Sequence, residues 1–343
     1  MFLLKLLLIS IIKLRKLLVN KIQLSEEKVL FISIAGIGDS IYLLSAIQYY
    51  NQLTGRKVDI LILKSSLDLF SNCDYIDKIF TIETKYLIDF KEYKYILSNR
   101  INITTLLNVI KSRFSNYLIV NPSYEKLRFI SRIRCKISQE YKKQYFSQFH
   151  AGLQFNEIIK DIFKSEIDFP KPIIKSIKPY GGLINKFLKQ NTFFGIIHVA
   201  GQDDIRKISP QLIFDLTTSL YIPIILVGSK NDSDLYSNIN YHDSVYNGIG
   251  EFSLNEVLYL LENSNFCIAP DSSIMHLASL TKTRLIGIMG NALEQTFGPI
   301  FSNNKVLLSR NPICSPCSKN ICKKYNGHSC VQDISLAEII NAI

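Results

Sequence analysis

After residue 27 the apolar positions fall into short runs rich in Ile, Val, Leu and Tyr, separated by longer segments with helical spacing. Lys28 to Ala35, Lys57 to Leu63, Ile76 to Ile82, Tyr93 to Leu97 and Tyr117 to Val120 read as buried strands, with Ser40 to Leu53 and Thr104 to Arg113 as helices. A helical stretch, Gln154 to Phe163, leads to Phe169-Pro170-Lys171-Pro172, where two close prolines stop regular structure and set the expected domain boundary. A second series follows: strand Phe193 to Val199, helix Pro210 to Leu220, strand Pro223 to Val227, helix Leu254 to Glu262, strand Phe266 to Ala269, helix Ser273 to Leu280 and strand Arg284 to Met289. Strand and helix alternating in this way predict an α/β chain with two doubly wound parallel sheets, residues 25–170 and 171–343, and ligands beyond the carboxyl ends of the strands.

The first 24 residues differ from the rest. Met1 to Leu24 hold Lys5, Lys13, Arg15, Lys16 and Lys21, no acid, and many Leu, Ile and Val. The longest uncharged apolar stretch, Leu6 to Ile12, is far short of a membrane span, and no small-residue cleavage site follows it. On a helical wheel Lys5, Lys13, Lys16, Asn20 and Gln23 share one face opposite Leu7, Ile11, Leu14 and Leu18, with Arg15 breaking the pattern. Residues 1–24 therefore read as a basic amphipathic helix suited to an anionic lipid surface. A helix packed on the protein's own body is the alternative.

The chain has 343 residues, 47% of them hydrophobic and 20% charged, with 15 Gly and 10 Pro, which excludes a disordered or collagenous protein. Forty basic against 29 acidic residues give a net charge of +11, pointing to an anionic partner: nucleic acid, acidic lipid or a phosphorylated small molecule. The basic-aromatic clustering of nucleic-acid platforms is missing, so no nucleic-acid partner is expected.

Three strand-to-helix turns carry candidate chemistry. Ala35-Gly36-Ile37-Gly38-Asp39-Ser40 has two glycines that let a ligand approach and an acid at the helix mouth, able to accept a proton or to cap amides. It lacks the third glycine of a dinucleotide fingerprint. Ala200-Gly201-Gln202-Asp203-Asp204-Ile205-Arg206-Lys207-Ile208-Ser209-Pro210 offers two cations, Arg206 and Lys207, suited to a departing diphosphate or else to solvent. Ala269-Pro270-Asp271-Ser272-Ser273-Ile274-Met275-His276 offers two hydroxyls and helix-start amides, with His276 one turn further on. Asp232-Ser233-Asp234, after Val227-Gly228-Ser229, looks like a metal-binding Asp-x-Asp, but a ribose or base contact or helix capping fits its position better.

Of seven cysteines, Cys73, Cys135 and Cys267 sit singly in apolar surroundings and read as small core residues. Cys314, Cys317, Cys322 and Cys330 fall within 17 residues, a ligand count that fits a closed, structural tetrahedral site, with His328 as a substitute ligand. Two disulfides or four free thiols are the alternatives.

Taken in order, these turns resemble glycosyltransferase family 9, the ADP-heptose lipopolysaccharide heptosyltransferases, from residue 25 onward. The family's early Gly-Asp is similar to Gly38-Asp39, its Lys-x-Trp-Pro to Lys207-Ile208-Ser209-Pro210, its Asp-(Ser/Thr)-Gly-x-x-His to Asp271 through His276, and its late Gly-Pro to Gly298-Pro299. Ser209 stands for the usual Trp, Ser273 for the usual Gly, and a proline common after Gly-Asp is replaced near Ser45. The resemblance implies the GT-B architecture, two Rossmann-like doubly wound domains facing a cleft, and an inverting transfer needing no catalytic metal. Asp39 would be the base and Lys207 the cation for the leaving diphosphate. Gly36, Gly38 and Ser40 would lie on the acceptor side, and Gly228, Asp271, Ser272, Ser273, Met275 and His276 on the donor side. It further implies ADP-heptose as donor, a lipid-linked saccharide acceptor at the inner face of the cytoplasmic membrane, and a structural zinc or iron at the late cysteines. Transfer to a protein or another surface glycan, and a catalytically inactive sugar-nucleotide-binding protein, are the other readings.

Overall fold

The computed structural model describes residues 28–71, 73–93, 95–100, 117–120, 150–201, 204–237, 239, 241–290, 292–310, 331 and 333–343. The expected helix at 104–113, the amphipathic segment 1–24, Cys135 and the cluster Cys314, Cys317, Cys322 and Cys330 with His328 lie outside these residues. The chain divides into two compact units, Met1–Pro172 and Ile173–Ile343.

In the first unit β1 (Val29–Ser33), β2 (Val58–Ile62), β3 (Ile76–Thr81), β4 (Tyr95–Arg100) and β5 (Tyr117–Val120) form a sheet of order β3-β2-β1-β4-β5. Every pairing is parallel. β1 and β2 are buried along their whole length, which is why their sequences are almost continuously apolar. The exception, Asp59 in β2, accepts the Tyr93 hydroxyl at 2.7 Å and the Lys78 amide at 3.0 Å, so its charge enters the core with partners.

Leu30, Ile32, Leu61, Ile88, Phe90, Tyr93 and Ile96 form a core cluster of this unit. The long helix α1 (Ile37–Thr54) is buried continuously from Ser40 to Tyr50 and ends on Gly55, whose left-handed φ of 69° suits a residue without Cβ. It packs on α2 (Gln154–Phe163). Ser45, at the place of the expected proline, donates to the Pro170 carbonyl at 2.7 Å and accepts from Asn156 at 3.0 Å, pinning α1 to the end of its unit.

The second unit begins with α3 (Gly182–Gln190). Six parallel strands follow: β6 (Gly195–His198), β7 (Ile224–Val227), β8 (Val245–Asn247), β9 (Phe266–Pro270), β10 (Arg284–Met289) and β11 (Lys305–Ser309), in the order β11-β10-β9-β6-β7-β8. Helices α4 (Pro210–Ser219), α5 (Leu254–Asn263) and α6 (Ser273–Ala278) come between them in the chain, and α7 (Leu336–Ala342) follows β11. The chain starts in the middle of the sheet at β6, runs outward to β8, then returns to β9 on the other side of β6. That reversal is the doubly wound switch point, and it brings the ends of β6 and β9 together. Ile197, Ile213, Leu216, Leu226, Phe266 and Ile286 belong to the core between sheet and helices. The edge strands β8 and β11 are only partly buried and escape a reading based on apolar runs.

Candidate active site

The second and third turns meet at the switch point of the second unit. From the end of β6 the chain forms a bracket: the Ile208 amide donates to Val199 O at 3.0 Å and the Gly201 amide to Arg206 O at 3.3 Å. The Tyr236 hydroxyl lies 2.9 Å from Val199 O and 2.7 Å from Ile208 O, sharing its proton between the two carbonyls at the base of the bracket. Burial raises its pKa, which keeps the hydroxyl a donor. Lys207, half-buried, sits between two residues whose main chain is thus held. Ser209 then caps α4, accepting from the Leu212 amide, with Pro210 opening the helix. Gly201 has a packing reason to be glycine: a Cβ there would come within 2.6 Å of the Arg206 Cβ and 3.1 Å of Asp271 O.

Facing this bracket is the turn after β9. Asp271, buried, holds the Arg206 guanidinium at 3.5 Å and donates its amide to Ile288 O. The sequence offers Arg206 and Lys207 as a pair of cations for a ligand; the structure gives Arg206 a carboxylate of the protein. Ser272 caps α6, accepting from the Met275 amide, and its Oγ lies 3.0 Å from Nδ1 of His198. His198 carries no weight in the sequence reading, where it is the last residue but one of an apolar strand. It is buried, and burial pushes it down to about 4, the Asp232 charge working against this, so the ring is neutral at pH 7.

The other predicted donor-side residues divide. His276 is buried within α6, its amide on Ser272 O. Met275 is fully buried, and its sulfur would be 3.1 Å from a Cβ on Gly287, so its side chain is core. Ser273 begins α6. Gly228 is closely packed: a Cβ there would stand 3.0 Å from Val199 and 3.2 Å from Ile249. Asp232 accepts from the amide and hydroxyl of Ser229 in a capping box, so it has the capping role that its position suggested. Gly298 closes a short turn, its amide on Glu294 O.

In the first unit, the turn after β1 departs from one expectation. Gly36, not Asp39, is the N-cap of α1, and Asp39 is the third helical residue, exposed in the first turn, where the helix dipole favours a carboxylate. A Cβ on Gly36 would meet nothing within 4 Å, so the space over the turn is open. Gly38 is the second helical residue. Ser40 is buried, its hydroxyl donating to Gly36 O and lying 3.4 and 3.3 Å from those of Ser33 and Ser66. Among the described residues no group of His, Cys, Asp and Glu gathers as a metal site, and no helix is long and apolar enough to cross a membrane.

Residues 211–327 match the model of glycosyltransferase family 9 (heptosyltransferase). No curated protein matches the chain in sequence. Among solved structures, a glycosyl transferase family 9 protein of Veillonella parvula superposes with a TM-score of 0.69 at 12% identity, over 94% of this chain and 98% of that one. The ADP-heptose lipopolysaccharide heptosyltransferase II of E. coli gives 0.67 at 14% identity, over 92% and 97%. The iron-containing dodecameric glycosyltransferase TibC of enterotoxigenic E. coli gives 0.59 at 12%, over 94% and 76%. At such identities these likenesses speak for the fold, which is GT-B. The family match spans the switch-point turn itself, Asp271 to His276, and makes this third of the chain similar to the glycosyltransferases of family 9.

Proposed function

We propose that the protein transfers a heptose from ADP-heptose to a saccharide acceptor of the lipopolysaccharide core, with inversion at the anomeric carbon. The observation that carries this reading is the heptosyltransferase family match over residues 211–327, which includes the Asp271 to His276 turn. A solved neighbour of the same fold is described with ADP-D-beta-D-heptose bound, which supports the donor. In this reading Asp39 takes the proton of an acceptor hydroxyl, the oxygen bonds to the anomeric carbon, and the bond from that carbon to the diphosphate breaks with its electron pair on the leaving ADP. The Lys207 ammonium stabilises the charge that gathers there. The donor lies along the turns at Gly228 and at Asp271 to His276, and the acceptor over Gly36, Gly38 and Ser40, where the open space above Gly36 leaves room.

The acceptor is lipid-linked, and the basic segment 1–24 holds the enzyme on the inner face of the cytoplasmic membrane. The four late cysteines hold a structural zinc or iron with no part in the transfer; the iron-containing description of TibC supports a metal there. The testing experiment incubates the protein with a panel of nucleotide sugars and with lipid or protein acceptors. ADP-heptose should be consumed and its sugar recovered on the lipid acceptor with inverted configuration. Consumption of another nucleotide sugar, or label on protein only, would refute the assignment.

A further inference from the structure

The switch point is joined by two side-chain ties, one of them at Arg206, the residue before Lys207. Asp271 and Ser272 are consecutive: Asp271 is tied to Arg206 in the bracket at 3.5 Å, and Ser272 to His198, the last residue of β6, at 3.0 Å. Arg206 immediately precedes Lys207, and its carbonyl already receives the Gly201 amide. Arg206 is thus held at both its carbonyl and its guanidinium, which fixes the residue next to Lys207 against the turn after β9. The Asp271 side chain is only 7% exposed against 28% for Arg206, so the carboxylate is a buried anchor and the guanidinium the arm that reaches it.

We propose that the Arg206–Asp271 pair is a positioning clamp that sets Lys207 against the turn at 271–276, with His198 and Ser272 as its second tie. The proposal rests on the reading of Lys207 as the cation for the donor's diphosphate. Arg206 itself does not touch the nucleotide; it acts through Lys207. Misplacing a charge-stabilising group by about an ångström costs on the order of 100-fold in rate, so the clamp matters to turnover although it meets no substrate atom.

A cycle of variants in the full-length chain tests this, read by calorimetric titration with ADP and by kcat on ADP-heptose. Arg206→Met and Asp271→Asn should each weaken ADP about tenfold, the effect of loosening one charge-assisted contact. In a Lys207→Ala background Arg206→Met should weaken ADP no further. Equal loss in both backgrounds would mean that Arg206 meets the nucleotide directly and would overturn the clamp. Arg206→Lys keeps a cation against Asp271 and should hold ADP within about threefold of the parent; a loss as large as that of Arg206→Met would overturn the ion-pair basis. A parent protein that binds no ADP would instead refute the nucleotide reading of the turn, a result distinct from additivity in the cycle.

Discussion

Nδ1 of His198, at the end of β6, lies 3.0 Å from the hydroxyl of Ser272, 74 residues further along the chain. This pairing of a neutral, buried imidazole with a helix cap makes acid a specific threat to the second unit. Burial holds His198 at about 4 against an ordinary 6.5, so between these values the unfolded chain binds a proton that the folded chain does not. Stability therefore falls as pH drops from 6.5 towards 4 and is untouched above that window, by roughly 3 kcal/mol at full extent. His198→Asn, which keeps a polar atom near Nδ1 and removes the titration, should show a flatter loss of unfolding free energy over that range. Parallel curves for the two proteins would remove His198 from the account of acid sensitivity.

Asp39 is exposed in the first turn of α1 and is not its cap, so its removal should leave the fold intact. Asp39→Asn is expected to cut turnover by about 100-fold or more with nucleotide-sugar affinity nearly unchanged. Retention of more than about a tenth of parent activity would end its assignment as the base.

Lys207→Ala should weaken the donor and slow turnover together, because one ammonium meets both the ground-state diphosphate and the more negative leaving group. The loss in kcat should reach about 100-fold, that of an electrostatic stabiliser. A change confined to the KM of the acceptor would put the bracket on the wrong substrate.

Deletion of Met1 to Leu24 should give a folded, active protein that no longer sediments with anionic vesicles. An insoluble or unfolded product would make the segment part of the protein's own core.

The cysteines at 314, 317, 322 and 330 predict about one zinc or iron per chain in protein purified without chelator. Cys317→Ser should lower both metal content and melting temperature. Metal-free protein with full activity and an unchanged melting curve would refute the site.

What could be read from the residue order alone was whatever depends on neighbours in the chain. The buried strands of parallel sheets are nearly continuous apolar runs, so β1, β2, β9 and β10 stand out, and Pro210 after Ser209 marks the start of α4 because both act on adjacent main chain. The Gly-Asp, Lys-x-x-Pro and Asp-Ser-Ser-x-x-His turns are local as well, and they carried the family resemblance. The partly buried β8 and β11 gave no such signal and emerged only from their pairing with β7 and β10. Tertiary structure alone decided which polar side chains meet. Winding from β6 outward and back to β9 sets His198 beside Ser272 and Arg206 beside Asp271, turning one of two adjacent cations into a strut and a strand-end histidine into a hydrogen-bond partner. It also placed Asp39 inside α1 behind a glycine cap and Met275 in the core, because a helix's starting residue and the direction of each side chain follow from what the element packs against.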